Sequence, residues 1–107
     1  MFKRGNVYLV QIRDATCSEQ DGARPAIIVS NNRGNKYSEV IEVVYLTTKP
    51  KTDLPTHVPI SLNGVKSTAL CEQISSIAKQ RIVKYMGRVT KNELTEVNAA
   101  LKVSLGI

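Results

Sequence analysis

The chain has few of the residues from which aromatic cores, disulfide frameworks and metal sites are usually built. Its 107 residues include no tryptophan, one phenylalanine, two cysteines and a single histidine, His57. Two cysteines, Cys17 and Cys71, are too few for a disulfide framework and do not have the spacing of metal ligands. We therefore expect reduced thiols in a cytoplasmic protein. One histidine also excludes a histidine-rich metal cluster and two-histidine acid–base catalysis within one chain.

Long apolar segments and the common catalytic motifs are also missing. The first apolar segment, from Val7 to Ile12, is short and contains Gln11, so it is neither a signal sequence nor a membrane span. There is no phosphate-cradling glycine loop and no nucleophile elbow. We expect no membrane association, no metal and no cofactor.

Positive charge and aliphatic residues are plentiful. Fifteen Lys and Arg residues face nine Asp and Glu residues, which gives a net charge of +6. With one phenylalanine and no tryptophan, the core must consist of Val, Ile and Leu, and these residues favour strands. The length predicts one domain over residues 1–107. A small basic domain often binds phosphate, but the charge alone fits an ordinary basic protein equally well.

The pattern of apolar residues predicts several strands followed by one helix. We expect strands over 5–12, 25–30 and 39–48, loops over 31–38 and 49–55, a short helical turn over 75–85 and a last strand over 86–89. Asn63-Gly64, between two strand-like segments, predicts a tight hairpin.

The C-terminal segment has the clearest helix signals. Thr90 and Glu93 form a capping box, and Leu94, Val97, Leu101 and Leu105 recur on one helical face. The fold class is therefore mainly β: a small, strongly bent sheet or barrel with a C-terminal helix laid against it.

Two segments carry side chains that suit a phosphate. Arg24 ends the polar stretch "SEQDGARP" just before a buried strand, and its planar guanidinium fits a phosphodiester. It could equally be a surface arginine paired with Glu19 or Asp21. Thr47 and Thr48 end the longest strand before a basic loop. They are either ordinary strand residues or hydroxyl donors to a phosphate.

The remaining polar candidates each fit both a structural and a functional interpretation. His57 could be a partly exposed strand residue, or it could stack on a base or transfer a proton. Glu72 and Gln73 could close a strand or read the edge of a base. The scattered lysines and arginines are individually surface residues, and collectively they could attract a nucleic acid.

Six segments of the chain occur in a characteristic order: "RGNVYLVQI", "SEQDGARPAIIVSN", "YLTTK", "LPTHVPI", "CEQI" and "VNAALKVSLGI". In these segments and their order the chain resembles the MazF/PemK family of toxin ribonucleases, and the resemblance covers essentially the whole chain. It implies an SH3-like barrel of the MazF/CcdB/Kid type with a C-terminal helix, and a homodimer. It also implies metal-independent cleavage of single-stranded RNA, and inhibition by a cognate antitoxin whose acidic tail covers the RNA site.

The resemblance also implies roles for individual residues. Arg24 and Thr47 match the catalytic pair of the family. Glu19 is our candidate for the general base on chemical grounds, with His57 behind it. The predicted RNA-binding residues are Ser18, Gln20, Thr48, Lys49, His57 and Gln73. Cys17 and Asp21 stand where glycine is usual in the family, so the cleavage specificity does not carry over.

Two other functions fit the same fold. A CcdB-like poison of DNA gyrase ends in Trp-Gly-Ile, whereas this chain ends in Leu105-Gly106-Ile107 and has no tryptophan, which argues against that target. The second alternative is an RNA-binding module without activity.

Overall fold

The computed structural model describes residues 2–11, 22–49 and 51–107. In chain order the strands are β1 (Asn6–Gln11), β2 (Ala23–Ile28), β3 (Val40–Thr47), β4 (His57–Leu62), β5 (Val65–Ala78) and β6 (Ile82–Arg88). The α-helices are α1 (Asn32–Tyr37) and α2 (Lys91–Leu105), and a 3₁₀ turn, Lys79–Arg81, joins β5 to β6.

The six strands form one antiparallel sheet in the order β4-β5-β3-β2-β1-β6. The sheet curls into a half-barrel, and α2 packs against β4 and β5. This architecture confirms the predicted mainly β fold with a C-terminal helix.

The central strands are buried on both faces, which explains their long apolar segments. Successive side chains of a strand point to opposite faces, so each of these strands contributes to two clusters. The helix-side core includes Val7, Ile27, Val44, Leu46, Val97 and Leu101. The second core includes Tyr8, Val10, Ala26, Ile28, Ile41 and Val43. Consecutive buried apolar residues, Ala26, Ile27 and Ile28 in β2 and Val43 and Val44 in β3, are typical of a strand that is covered on both faces.

The β4–β5 hairpin turns at Asn63-Gly64, as predicted. Leu62 pairs with Val65, and the two residues between them have positive φ values of 52° and 81°. Asparagine and glycine tolerate this left-handed conformation better than other residues, so the turn is built into the sequence.

α2 is held at its start by the predicted capping box. The Thr90 hydroxyl accepts from the Glu93 N–H at 3.1 Å, and a Glu93 carboxylate oxygen accepts from the Thr90 N–H at 2.8 Å. The other carboxylate oxygen accepts from the Ser61 N–H at 2.8 Å, which ties the helix to β4. Leu101 is buried, but Leu105 is 59% exposed and does not extend the predicted apolar face. No helix in the described ranges is long and apolar enough to cross a membrane.

Two local predictions are wrong. Residues 32–37 of the predicted loop form α1, whose N-cap residue Asn31 accepts from the Gly34 N–H at 2.7 Å. Most of residues 75–85 is strand rather than helical turn, because β5 continues to Ala78 and pairs with β3, with Ile77 opposite Ile41, and β6 begins at Ile82. The helical signal was overridden there by long-range pairing. Only the short 3₁₀ turn before β6 remains of it.

Candidate nucleic-acid interface

The ladder between β2 and β3 ends at a proline, and Arg24 and Thr47 lie just beyond it. Ala26 pairs with Tyr45, and the next β2 residue, Pro25, has no N–H to donate to the ladder. Continued in the same register, the strands place Arg24 directly opposite Thr47. These two residues, which the family resemblance implies as a catalytic pair, are thus neighbours across one antiparallel pair.

A cleft of about 360 Å³ opens at this end of the sheet. Its polar lining consists of Arg24, Thr47, Thr48, Lys49, Lys51, Ser67 and Gln73, and its apolar lining of Pro25, Leu46 and Leu70. Three of these side chains are cationic, and none of the described lining residues is acidic. Such a cleft attracts an anion and offers it hydroxyl and guanidinium donors.

Arg24 is available to a ligand in this cleft. It lies in β2 opposite Val10 of β1, and it is exposed. None of the residues that the structure describes forms a hydrogen bond with its guanidinium. Its proposed pairing with Glu19 or Asp21 concerns residues outside the described ranges.

Thr47 is oriented as a donor. It is the last residue of β3 and half-buried, and its hydroxyl oxygen accepts from the Lys49 N–H at 3.2 Å. Because that bond uses a lone pair of the oxygen, the hydroxyl hydrogen stays available for a phosphate oxygen. Thr48 and Lys49 follow as exposed residues beside it.

A bulge in β5 brings Gln73 to the cleft. Val44 pairs with Ile74 and Leu46 with Ala69, so the β5 residues 70–73 lie opposite a single residue of β3. Extra residues of this kind bend a strand and redirect its side chains. Gln73 is exposed and lines the cleft.

His57 lies beside the cleft rather than in it. It lines a smaller pocket of about 100 Å³ together with Lys51, Thr52, Asp53, Pro59 and Thr68. Lys51 belongs to both pockets, so they adjoin. Ser18, Glu19 and Gln20 lie outside the described residues.

Both ring nitrogens of His57 are engaged by acceptors. Nδ1 lies 2.8 Å from the Thr52 carbonyl oxygen, and Nε2 lies 3.0 Å from a carboxylate oxygen of Glu72. Only the doubly protonated ring donates to both at once. The hydrogen bond to Glu72 raises the pKa of His57 above its ordinary value, against the opposing effect of burial. The ring therefore has no free lone pair with which to take a proton.

Glu72 is the counterpart of this cation. Burial alone would raise the pKa of its carboxyl group, but hydrogen bonds from His57, from its own backbone and from Thr56 together lower it. The Thr56 hydroxyl donates to Oε1 at 2.9 Å while His57 occupies Oε2. The pair is a salt bridge in which each partner favours the charged form of the other.

This salt bridge predicts a pH dependence of stability. The raised pKa of His57 stabilises the fold below about pH 6.5 and loses its effect as pH rises through the folded-state value. The lowered pKa of Glu72 stabilises above about pH 4.5 and loses its effect as pH falls. Glu72→Gln should therefore lower the urea midpoint more at about pH 5.5 than at about pH 9.

Other titratable groups lie near His57 and Glu72, so the stability measurement needs a control variant. Lys51 and Asp53 line the pocket with His57, and Cys71 adjoins Glu72. Burial, and secondarily the charge of Glu72, raises the pKa of the Cys71 thiol to about 11, so this thiol stays protonated in the folded protein at both pH values. Exposed Glu96 on α2 provides Glu96→Gln as the control. A difference between Glu72→Gln and wild type that does not change with pH would contradict the prediction.

Sequence reasoning missed three participants. Lys51 was counted only among the basic residues that could collectively attract a nucleic acid, although its position two residues after Lys49 was the available signal. Ser67 reaches the cleft through the β4–β5 hairpin, and no local signal marks it. Glu72 was read as a strand end or a base reader, whereas its contacts are with His57 and Thr56.

The fold and the cleft define a class: a small, mainly β protein with a cleft lined by cationic and hydroxyl side chains. A family model of the PemK-like, MazF-like toxins of type II toxin–antitoxin systems matches residues 3–105. The endoribonuclease MazF of Staphylococcus saprophyticus is 38% identical over the whole chain and 93% of its own length.

Solved structures agree with this match. An endoribonuclease in complex with its cognate antitoxin from Mycobacterial species is 30% identical, with a TM-score of 0.84 over 98% of this chain and 95% of that one. MazF from Deinococcus radiodurans, 22% identical, has the same fold, with a TM-score of 0.81 over 98% and 96% of the two chains. The chain belongs to the PemK-like, MazF-like toxins of type II toxin–antitoxin systems, and it is a toxin endoribonuclease of the MazF type.

Proposed function

We propose that this toxin cleaves single-stranded RNA, chiefly mRNA, in the cleft between β2, β3 and β5, without a metal ion. The observation that carries the proposal is the juxtaposition of Arg24 and Thr47 in a cleft whose described lining is cationic. A guanidinium fork and a hydroxyl donor are the groups that a phosphodiester under attack requires.

The reaction uses the 2′-hydroxyl of the RNA itself. Its oxygen forms a bond to the adjacent phosphorus, and the bond from phosphorus to the 5′-oxygen of the next nucleotide breaks. A base takes the 2′ proton, and an acid supplies a proton to the leaving 5′-oxygen. The products are a 2′,3′-cyclic phosphate and a 5′-hydroxyl end, and no co-reactant is consumed.

The residues divide these tasks among them. Arg24 stabilises the negative charge on the pentacoordinate phosphorus and donates a proton to the leaving 5′-oxygen. Thr47 donates its hydroxyl hydrogen to a phosphate oxygen. Glu19 takes the 2′ proton, since the ring of His57 is occupied by Thr52 and Glu72. The RNA is held by Ser18, Gln20, Thr48, Lys49, His57 and Gln73.

The physiological setting of this proposal is a cytoplasmic homodimer of a single toxin domain, controlled by a cognate antitoxin. An acidic antitoxin segment laid over the cleft would meet Arg24, Lys49 and Lys51 and so exclude RNA. The Mycobacterial endoribonuclease in complex with its cognate antitoxin supports such control. A second relative is the MazE–MazF complex of Deinococcus radiodurans, at 20% identity.

The test is cleavage of a long, unstructured RNA by the purified protein in EDTA. We expect cuts at a defined short sequence, each leaving a 2′,3′-cyclic phosphate and a 5′-hydroxyl end. Within the described ranges no three His, Cys, Asp or Glu side chains are grouped to hold a metal ion. Activity that vanishes in EDTA and returns with magnesium would contradict the metal-free mechanism.

The same preparation separates the alternatives. A gyrase poison would leave the RNA intact and trap gyrase on cleaved DNA. An inactive binding module would bind the RNA without cutting it. Mapping the cut sites across a long transcript then defines the recognition sequence.

A further inference from the structure

We propose that Glu72 is a positioning residue for RNA cleavage: through His57 and Thr56 it fixes the β3–β4 loop to the β5 bulge, and so holds Lys51 and Gln73 at the cleft. The geometry of this connection is independent of the RNA, but its purpose rests on the proposed function.

The connection is made at several points on one short segment of the loop. The two carboxylate oxygens of Glu72 accept from the Thr56 hydroxyl at 2.9 Å and from His57 Nε2 at 3.0 Å. The other ring nitrogen of His57 bonds the Thr52 carbonyl at 2.8 Å. Next to Glu72, the Cys71 N–H donates to the Thr56 carbonyl at 2.9 Å. We call these contacts the loop clamp.

The loop clamp lies between two residues that line the cleft. On the loop side, Lys51 immediately precedes Thr52 and belongs to both the cleft and the His57 pocket. On the bulge side, Gln73 immediately follows Glu72. Both Lys51 and Gln73 are exposed. Long exposed side chains have little packing of their own to fix them, so their positions depend on the backbone that the clamp holds.

The contacts of Glu72 argue against a direct role in reading RNA. Both of its oxygens already accept from protein donors, and it is absent from the described linings of both pockets. An unpaired carboxylate beside an RNA path would repel phosphate. Because Glu72 is hydrogen-bonded to the His57 cation, it connects the β3–β4 loop to β5 and adds no net negative charge beside the cleft.

The experiment compares Glu72→Ala, Glu72→Gln, His57→Ala and the double variant Glu72→Ala/His57→Ala. Because small displacements of positioning groups cost up to about 100-fold in rate, we expect Glu72→Ala to lower kcat/KM for RNA cleavage by about 10- to 100-fold. Glu72→Gln keeps an acceptor oxygen and should recover much of this loss. The double variant should lose less than the two single losses combined, since Glu72 acts partly through that ring and partly through Thr56.

A second measurement, made without RNA, tests whether the loop clamp holds the loop. Amide hydrogen exchange over residues 51–57 should speed up in Glu72→Ala, while exchange in α2 stays unchanged. Glu96→Ala removes an equally charged exposed carboxylate from α2 and should alter neither measurement.

The outcomes distinguish this proposal from the proposed function. If wild type cleaves RNA and Glu72→Ala cleaves equally well, or the losses of the two single variants add up in the double variant, the positioning role is wrong. Unchanged exchange over residues 51–57 overturns it as well. If the loop responds as expected but none of the proteins cuts RNA, the proposed function fails, and the claim that the clamp serves cleavage fails with it.

Discussion

Replacing Arg24 by alanine should reduce RNA cleavage by at least about 10³-fold. Loss of one donor to developing charge costs about 10²–10³ in kcat, and loss of a proton donor costs about 10²–10⁴. Arg24 is proposed to do both, and the other described cations of the cleft, Lys49 and Lys51, lack its planar fork. The measurement is single-turnover cleavage of a defined RNA in EDTA.

Matched variants separate the guanidinium from its charge. Arg24→Lys keeps the cation but loses the planar fork, so we expect it to remain well below wild type. Arg33→Ala removes an exposed cation from α1 and should cleave normally. Because Arg24 is exposed, Arg24→Ala should shift the unfolding free energy by no more than about 0.5 kcal/mol. Cleavage by a folded Arg24→Ala at the wild-type rate would refute the assignment.

The elements that the sequence predicted well are those whose signals are local. The capping box of Thr90 and Glu93 and the Asn63-Gly64 turn each lie within four residues, and both appear in the structure. The segment 75–85 failed for the opposite reason. Its pairing with β3 joins residues more than thirty positions apart, as Ile77 and Ile41 are, and no local pattern encodes that contact.

The candidate site also combines features that the sequence predicts with features that depend on long-range pairing. Arg24 and Thr47 were found from motif resemblance, but their juxtaposition depends on the β2–β3 register and on the ladder ending at Pro25. The partnership of His57 with Glu72 depends on a bulge of four β5 residues, and a sequence gives no count of such residues. Residue types were therefore predictable, whereas the contacts that tune them were not.

The identity of the general base is the second large expected effect. Glu19→Gln should lower kcat by about 10²–10⁴-fold, the usual contribution of a positioned base. The structure makes His57 a poor rival, since Thr52 and Glu72 occupy both of its ring nitrogens. Glu19 lies outside the described residues, five positions before Arg24 in the chain, so its role as the base is a proposal from chemistry alone.

The pH dependence of kcat shows whether Glu19 acts as the general base or contributes only a negative charge. A base must be ionised to act, so kcat in wild type should fall on the acid side, and Glu19→Gln should lose that fall as well as the rate. Asp21→Asn removes a carboxylate two residues away and should leave the shape of the profile intact. If Glu19→Gln and Asp21→Asn lower kcat by the same factor at every pH, Glu19 contributes only its negative charge. If His57→Gln instead flattens the acid limb, the ring must leave Glu72 during catalysis, and it becomes the base.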